Sequence, residues 1–257
     1  MDDVRHTFHQ HLREVETDIV RLAAMATETI PRATAALLDR DLPATQQLID
    51  DDDEIDVLTH DIEERIYDLI VRQGPVASDL RTLLTSLWMT SEIERSADLA
   101  TNIAKGARRI YDIELNPVAR GLISQMSEEA TRLFRLAIEA YVERDAGLAA
   151  ALDDIDDRLD QLHGEFIQSL FEHQSDSGLQ PAVQLALIGR YYERIGDHAV
   201  NMGERVGYMV TGSLPEAGAP TDEHDEAGAE TLSSRLASRG SFRRNLCARA
   251  FPWARTK

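Results

Sequence analysis

The sequence has little of what disulfide-bonded, membrane-spanning or β-rich proteins need. Its single cysteine, Cys247, excludes an intrachain disulfide and fits a reducing compartment. No apolar run approaches the roughly 18 residues of a membrane span, and the acidic N-terminus has no hydrophobic signal segment. Aromatic residues make up only 5% of the chain, which favours helices over sheets. We expect a cytoplasmic helical protein that reaches a membrane only peripherally, through its partners.

Catalytic motifs and excess positive charge are also missing. The sequence has no Gly-rich phosphate loop, no G-x-S-x-G elbow and no Cys-His arrangement, so we predict no enzymatic activity. The formal net charge is -19, and the six acidic and seven basic residues from Gly212 onward nearly cancel. The negative charge therefore belongs to the preceding part. Because such a surface repels phosphate backbones, we expect no nucleic-acid binding and favour cations or basic partner surfaces.

What the sequence does contain is a helical pattern. Apolar residues recur at steps of three and four from Val4 onward, which is typical of an amphipathic helix. Turn residues such as the Gly-Pro pair at Gly74 divide the chain into further helical segments. The six predicted helices cover about 4–40, 43–72, 78–110, 119–144, 146–171 and 181–210. We predict a kink at Pro31 in the first helix, and Ser78 or Asp79 as the cap of the third.

The last three predicted helices repeat the first three. The segment L-D-R-D at Leu38 matches V-E-R-D at Val142 with an offset of 104, and Glu94 matches Glu193 with an offset of 99. Such self-similarity indicates a duplicated structural unit, and short connections make consecutive helices antiparallel neighbours. We predict an all-α fold of two tandem three-helix bundles, residues 1–112 and 113–211, related by approximate two-fold symmetry.

Residues 212–257 differ in composition from the repeats. Gly, Ala, Pro, Ser and Glu come first, and Arg among isolated apolar residues follows. This composition favours a disordered tail. The alternative is a basic amphipathic segment that binds an anionic surface or partner.

The third helix of each unit carries the same polar motif, E-R-x-x-D-x-x-x-N. Its four-residue steps place two carboxylates and an amide on one helix face. The second helix of each unit adds a D-x-x-x-D pair. If these helices are neighbours, four carboxylates converge in each unit: Asp52, Asp56, Glu94 and Asp98 in the first, and Asp156, Asp160, Glu193 and Asp197 in the second.

Converging carboxylates need a positive partner, because like charges held close together raise one another's pKa. A metal ion meets that need, and oxygen ligands between bundle helices suit magnesium, manganese, calcium or iron. The alternative is that Arg95, Arg194 and other basic residues neutralise the carboxylates in surface ion pairs. We expect His60 and His163 at the surface, and His198 as a packing or interface residue.

These residues resemble a known family. The segment E-R-I-G-D-H-A-V-N at Glu193, its counterpart at Glu94, the D-x-x-I-D segment around Ile55 and the connector R-Q-G-P-V-A-S-D-L-R at Arg72 are similar to the PhoU family of phosphate-transport accessory proteins. The resemblance covers roughly residues 4–211. The first motif departs from the family pattern, with Ser and Ala in place of Ile and Gly, and this predicts altered helix packing there.

The resemblance implies a non-catalytic regulator that restrains phosphate uptake and phosphate-starvation signalling. It implies contacts with the ATPase subunit of the phosphate ABC transporter and with the phosphate-sensing histidine kinase, and a homodimer. It also implies that the eight carboxylates bind iron, zinc, manganese or magnesium, singly or as multinuclear clusters, with Asn102 and Asn201 as weak ligands or as hydrogen-bond partners of ligands.

Two other functions stay open at this point. One is a carboxylate-bridged metalloenzyme or metal store, against which the absence of any Glu-x-x-His pair counts. The other is an acidic structural bundle that binds no metal.

Overall fold

The computed structural model describes residues 2–172 and 179–213. This part of the chain forms six α-helices and has no strands: α1 (Asp2–Asp39), α2 (Leu42–Gln73), α3 (Ser78–Arg109), α4 (Pro117–Glu143), α5 (Ala146–Glu172) and α6 (Leu179–Thr211). Each helix begins and ends close to its predicted residues, which confirms the all-α prediction. None of these helices is long and apolar enough to cross a bilayer. The tail predicted after residue 211 lies almost wholly outside the described residues.

Side-chain caps explain where α2 and α4 begin. The Asp41 carboxylate accepts a hydrogen bond from the backbone N–H of Ala44 at 2.9 Å, and the Asn116 side chain accepts one from Ala119 at 2.8 Å. In both helices a proline follows in the first turn, where its missing N–H costs nothing. The breaks predicted at these two places are therefore helix starts specified by the local sequence.

The start of α3 differs from its prediction. We expected Ser78 or Asp79 as the cap, but Ala77 precedes the helix and no side chain accepts a hydrogen bond there. The Ala77 carbonyl accepts the first helical hydrogen bond, from the N–H of Arg81 at 3.1 Å, so Ser78 already lies inside the helix. Just before it, Gly74 ends α2 with a φ of 52°, a left-handed conformation that glycine adopts without strain.

The six helices form two three-helix halves. Helices α1, α2 and α3 pack on one another, as do α4, α5 and α6, and the halves meet mainly through α3 against α6 and α1 against α4. The extensive contacts of α2 and α5 are with helices of their own half, which places these two helices on the outside. All six helices belong to one compact unit. The proposed domain boundary near residue 112 stays a prediction.

A shared core joins the halves. Buried apolar residues from all six helices form one cluster. Two tyrosines add polar links between the halves: the hydroxyl of Tyr192 on α6 lies 2.7 Å from Thr34 on α1, and that of Tyr141 on α4 lies 2.8 Å from Ser86 on α3. Because both hydroxyls are paired, their burial leaves no unsatisfied polar group.

Helices α3 and α6 run antiparallel across this interface. Pairs along the interface fix the register: Thr85 with Arg205, Glu92 with His198, and Arg109 with Gln184. This register brings the two E-R-x-x-D motifs side by side near the middle of the interface. The face of each motif that carries the carboxylates is turned toward the outer helix of its own half, α2 or α5.

Candidate metal centre

Helices α2 and α3 bring together the four carboxylates of the first half, which we call cluster 1 (Asp52, Asp56, Glu94 and Asp98). Burial raises the pKa of Asp52, and the charges of Asp98 and Asp56 raise it further. The pKa of Glu94 is raised by burial and then by the same two aspartates. Asp52 and Glu94 therefore each interact with both other aspartates of cluster 1, while the metal assignment of this cluster stays a prediction.

Cluster 1 has its own compensating contacts. The Thr101 hydroxyl donates a hydrogen bond to Asp52 Oδ1 at 3.0 Å, which ties α3 to α2 and partly opposes the rise in the pKa of Asp52 that burial causes. The charge of Lys105 acts in the same direction, although Lys105 forms no ion pair with any residue in the described ranges. Cluster 1 therefore has a neutral hydrogen-bond donor against its most buried aspartate.

In the second half, α5 and α6 bring together Asp156, Asp160 and Asp197, which with Glu193 we call cluster 2. Burial, followed by the charges of Asp160 and Asp197, raises the pKa of Asp156 to about 7. Burial and the charge of Asp197 also raise the pKa of Asp160. Glu193 is held differently, because its carboxylate forms an ion pair with Arg190.

Asp156 is the most buried carboxylate of the two clusters. The residue is only 8% exposed, and no described residue donates a hydrogen bond to its Oδ1. This oxygen packs directly on Gly196, where an added Cβ would lie 2.3 Å from it. The glycine of E-R-I-G-D thus lets α5 approach α6 closely enough to bury a carboxylate. At the equivalent position of α3 the chain has Ala97.

The ion-pair alternative named Arg95 and Arg194, with other basic residues, as the groups that neutralise the clusters. Arg95 pairs with Glu92 at 3.6 Å and its charge also acts to lower the pKa of Glu94, whereas Arg194 makes no ion pair within residues 2–172 and 179–213. The cation at cluster 2 is Arg190, which the sequence reasoning missed. A signal was present, because Arg190 lies three residues before Glu193 and so on the same helix face.

Three of the eight histidines, those considered as candidate site residues, occupy different environments. His60 is exposed, as predicted. The prediction for His163 was wrong: it is half-buried, burial and the charge of Arg190 lower its pKa, and its Nε2 has no hydrogen-bond partner among the described residues. His198 is an interface residue, as predicted, with its side chain 7% exposed and its Nδ1 2.5 Å from Glu92 Oε2.

Glu92 is a half-buried acidic residue outside both motifs. Burial acts to raise its pKa, but the hydrogen bond and charge of His198, together with Arg95 and Asn201, outweigh burial and lower the pKa. Asn201, expected as a weak ligand or as a partner of ligands, therefore contacts the opposite half through Glu92. This contact assigns to Asn201 a role in holding α3 against α6.

The metal assignment of the eight carboxylates stays a prediction. Within residues 2–172 and 179–213, no three His, Cys, Asp or Glu side chains are placed together as ligands of one ion. The donor chemistry nevertheless fits a hard cation, because both clusters offer carboxylate oxygens that repel one another, and cluster 2 adds the unpartnered Oδ1 of Asp156.

Comparisons with known proteins agree with the duplicated architecture. The PhoU domain family model matches residues 19–107 and 123–206, once in each half. The phosphate-specific transport system accessory protein PhoU homolog 1 of Mycobacterium tuberculosis is 36% identical over 213 residues, which cover 82% of this chain and 96% of that protein. PhoU homolog 2 of the same species is 33% identical over 213 residues, 82% of this chain and 100% of that protein.

A solved structure shares the fold. The crystal structure of PhoU from Pseudomonas aeruginosa superposes with a TM-score of 0.75 at 25% identity, covering 80% of this chain and 100% of that chain. The two bundles described above are therefore the arrangement found in that protein.

Gly196→Ala is expected to destabilise the fold by about 1–3 kcal/mol, because the new methyl group overpacks a closed helix contact. The added Cβ would lie 2.3 Å from Asp156 Oδ1 and 2.8 Å from Leu159 Cδ2, and both of these residues are buried. Urea denaturation measures the change. Gly207→Ala, on the same helix with nothing within 4 Å of an added Cβ, is the control and should be neutral or slightly stabilising. Equal losses in both variants would contradict the close approach at Gly196.

Asp156 should make stability depend on pH. The pKa of Asp156 is about 7 in the folded chain and about 4 in the unfolded chain, so the folded chain holds the carboxyl proton more tightly. The resulting stabilisation is fully present below about pH 4 and is lost as the pH rises through about 7. In chelator-treated protein, Asp156→Asn should therefore gain stability relative to the wild type between pH 5 and pH 8, with at most about 1.4 kcal/mol per pH unit at stake. The exposed Asp154→Asn variant should follow the wild type. Parallel pH profiles for wild type and Asp156→Asn would rule out the raised pKa.

Proposed function

Because this chain belongs to the PhoU family, we propose that it is a negative regulator of phosphate uptake and of phosphate-starvation signalling. The observation that carries the proposal is the duplicated domain, which matches the family model in both halves. The M. tuberculosis relative that is 36% identical over 82% of this chain is named as an accessory protein of the phosphate-specific transport system. The proposed activity is regulation by binding, without catalysis.

The proposed partners are the ATPase subunit of the phosphate ABC transporter and the phosphate-sensing histidine kinase. Both would be met in the cytoplasm, and the membrane would be reached only through them. The outer helices support docking onto basic surfaces, because each exposes a run of acidic side chains: Asp53, Glu54, Asp61, Glu64 and Asp68 on α2, and Asp153, Asp154, Asp157 and Glu165 on α5. We propose a homodimer as the assembled form on the family resemblance alone.

We also propose that the two carboxylate clusters hold iron, zinc, manganese or magnesium. A bound cation would supply the positive charge that offsets the repulsion raising the pKa of Asp52, Glu94, Asp156 and Asp160. The proposed ligands are the carboxylates of cluster 1 and cluster 2. In cluster 2, Glu193 would have to leave Arg190 to join them.

The second candidate function is a carboxylate-bridged metalloenzyme or metal store. The observation that favours this candidate is the half-buried His163, which lies three residues after Asp160 and interacts with the charge of Asp160. Iron-loaded protein that turns over no oxidant would remove the enzyme version of this candidate.

Deletion of the gene should raise phosphate uptake in phosphate-replete cells and switch on starvation responses, because the transporter and the kinase would lose their restraint. Re-expression of the wild-type chain should reverse both effects, and the transporter ATPase should be retained by the immobilised protein. An unchanged uptake rate after deletion, together with no retention of the ATPase, would sink the proposal.

Asp98→Ala combined with Asp197→Ala should lose most of the bound metal, because each half loses one central carboxylate. Elemental analysis after dialysis against a metal mixture measures the content. The matched control is Asp61→Ala combined with Asp154→Ala, which removes the same charge from exposed positions outside the clusters. Equal metal content in all three proteins would favour an acidic structural bundle.

A further inference from the structure

Among the described residues, cluster 2 has an arginine that is ion-paired to its carboxylates and cluster 1 has none, and we propose that Arg190 competes with metal at cluster 2, so that metal binds there only by displacing the arginine. This inference rests on the proposed metal binding. It makes the two halves unequal: cluster 1 would fill first, and cluster 2 would fill at higher metal concentration.

The repeat isolates this difference. The offset of 99 that aligns Glu94 with Glu193 also aligns Ser91 with Arg190. Both positions lie one turn before the first motif glutamate, but the serine has no charge and a short side chain. The charges of Arg95 and Lys105 reach Glu94 and Asp52 in cluster 1, but neither side chain forms an ion pair with a cluster 1 carboxylate in the described part of the chain.

The contacts of Arg190 are those of a resident counter-ion. Its guanidinium pairs with Glu193 and lies 3.6 Å from Asp197, and its charge partly opposes the burial and the charge of Asp197 that raise the pKa of Asp160. Three of the four cluster 2 carboxylates thus interact with one side chain. A metal ion that takes oxygens from Glu193 and Asp197 must break these contacts and would be repelled by the guanidinium if it stayed.

Arg190 is free to leave. Its side chain is 47% exposed, so rotation into solvent opens no cavity in the core. The carboxylate that Arg190 does not satisfy is Asp156, whose residue is 8% exposed and whose Oδ1 has no hydrogen-bond donor among the described residues. Cluster 2 therefore combines a buried oxygen without a partner, which favours a cation, with a movable arginine that opposes one.

The test is calorimetric titration of metal-free protein with manganese(II). Cluster 1 is silenced with Asp56→Asn and Asp98→Asn, so that the remaining binding reports on cluster 2. In this background Arg190→Ser, which installs the side chain found at position 91, should tighten manganese binding by about fivefold to tenfold. Arg194→Ser is the matched control, because Arg194 is exposed, lies on the same helix and makes no ion pair within the described ranges. Arg190→Lys keeps the charge and should bind more weakly than Arg190→Ser.

The outcomes separate this inference from the proposed metal binding. If manganese binds cluster 2 with the same affinity in the silenced parent and in Arg190→Ser, the inference is wrong while metal binding stands. If neither the wild type nor any Arg190 variant binds manganese, both are wrong. Binding that appears at cluster 2 only after Arg190→Ser supports the inference, and thermal unfolding of each variant verifies that it is folded.

Discussion

Repulsion between carboxylates held on neighbouring helices is the constraint on which the rest of this structure depends. Each half places acidic side chains where two helices pack, and each offsets the resulting charge in its own way. In the first half a threonine hydroxyl donates to Asp52. In the second half Arg190 pairs with Glu193, while Asp156 keeps a pKa of about 7 and so carries a proton part of the time at neutral pH. The same helix pairs are therefore locally costly to form and well suited to attract cations.

The central helices α3 and α6 can tolerate this cost because their other faces are anchored. Each carries carboxylates toward an outer helix and packs its apolar side into the core shared by the halves. The buried tyrosine links to Thr34 and Ser86 add fixed points across the interface. A charge change in a cluster therefore acts on a helix that also forms the contact between the halves.

Much of the fold could be predicted from the sequence, because apolar periodicity and turn residues specify helix positions and the repeat specifies the pairing of helices. The predicted convergence of the carboxylates followed from four-residue spacing together with the packing of the second and third helices of each half as neighbours. Periodicity shows on which face of a helix a side chain lies but does not show how far it is buried. It therefore did not predict that Asp156 is buried or that His163 is half-buried. Choices between nearby partners, such as Arg190 instead of Arg194, depend on side-chain rotamers and on helix separation. The contrast between Gly196 and Ala97 was the only sequence sign of unequal separations.

The contact between Glu92 and His198 has a consequence for how the duplicated halves recognise each other. The repeat offset of 99 relates Glu92 to Tyr191 and His198 to Leu99. The symmetry-related position therefore holds Tyr191 and Leu99, and the pair of Glu92 with His198 occurs once. Two copies of the first half, joined in the same way, would set the half-buried carboxylate of Glu92 against Leu99, leaving a charge without a partner. Two copies of the second half would lose the carboxylate that His198 contacts. The Glu92–His198 pair thus disfavours the pairing of like halves, within one chain or between chains that exchange halves.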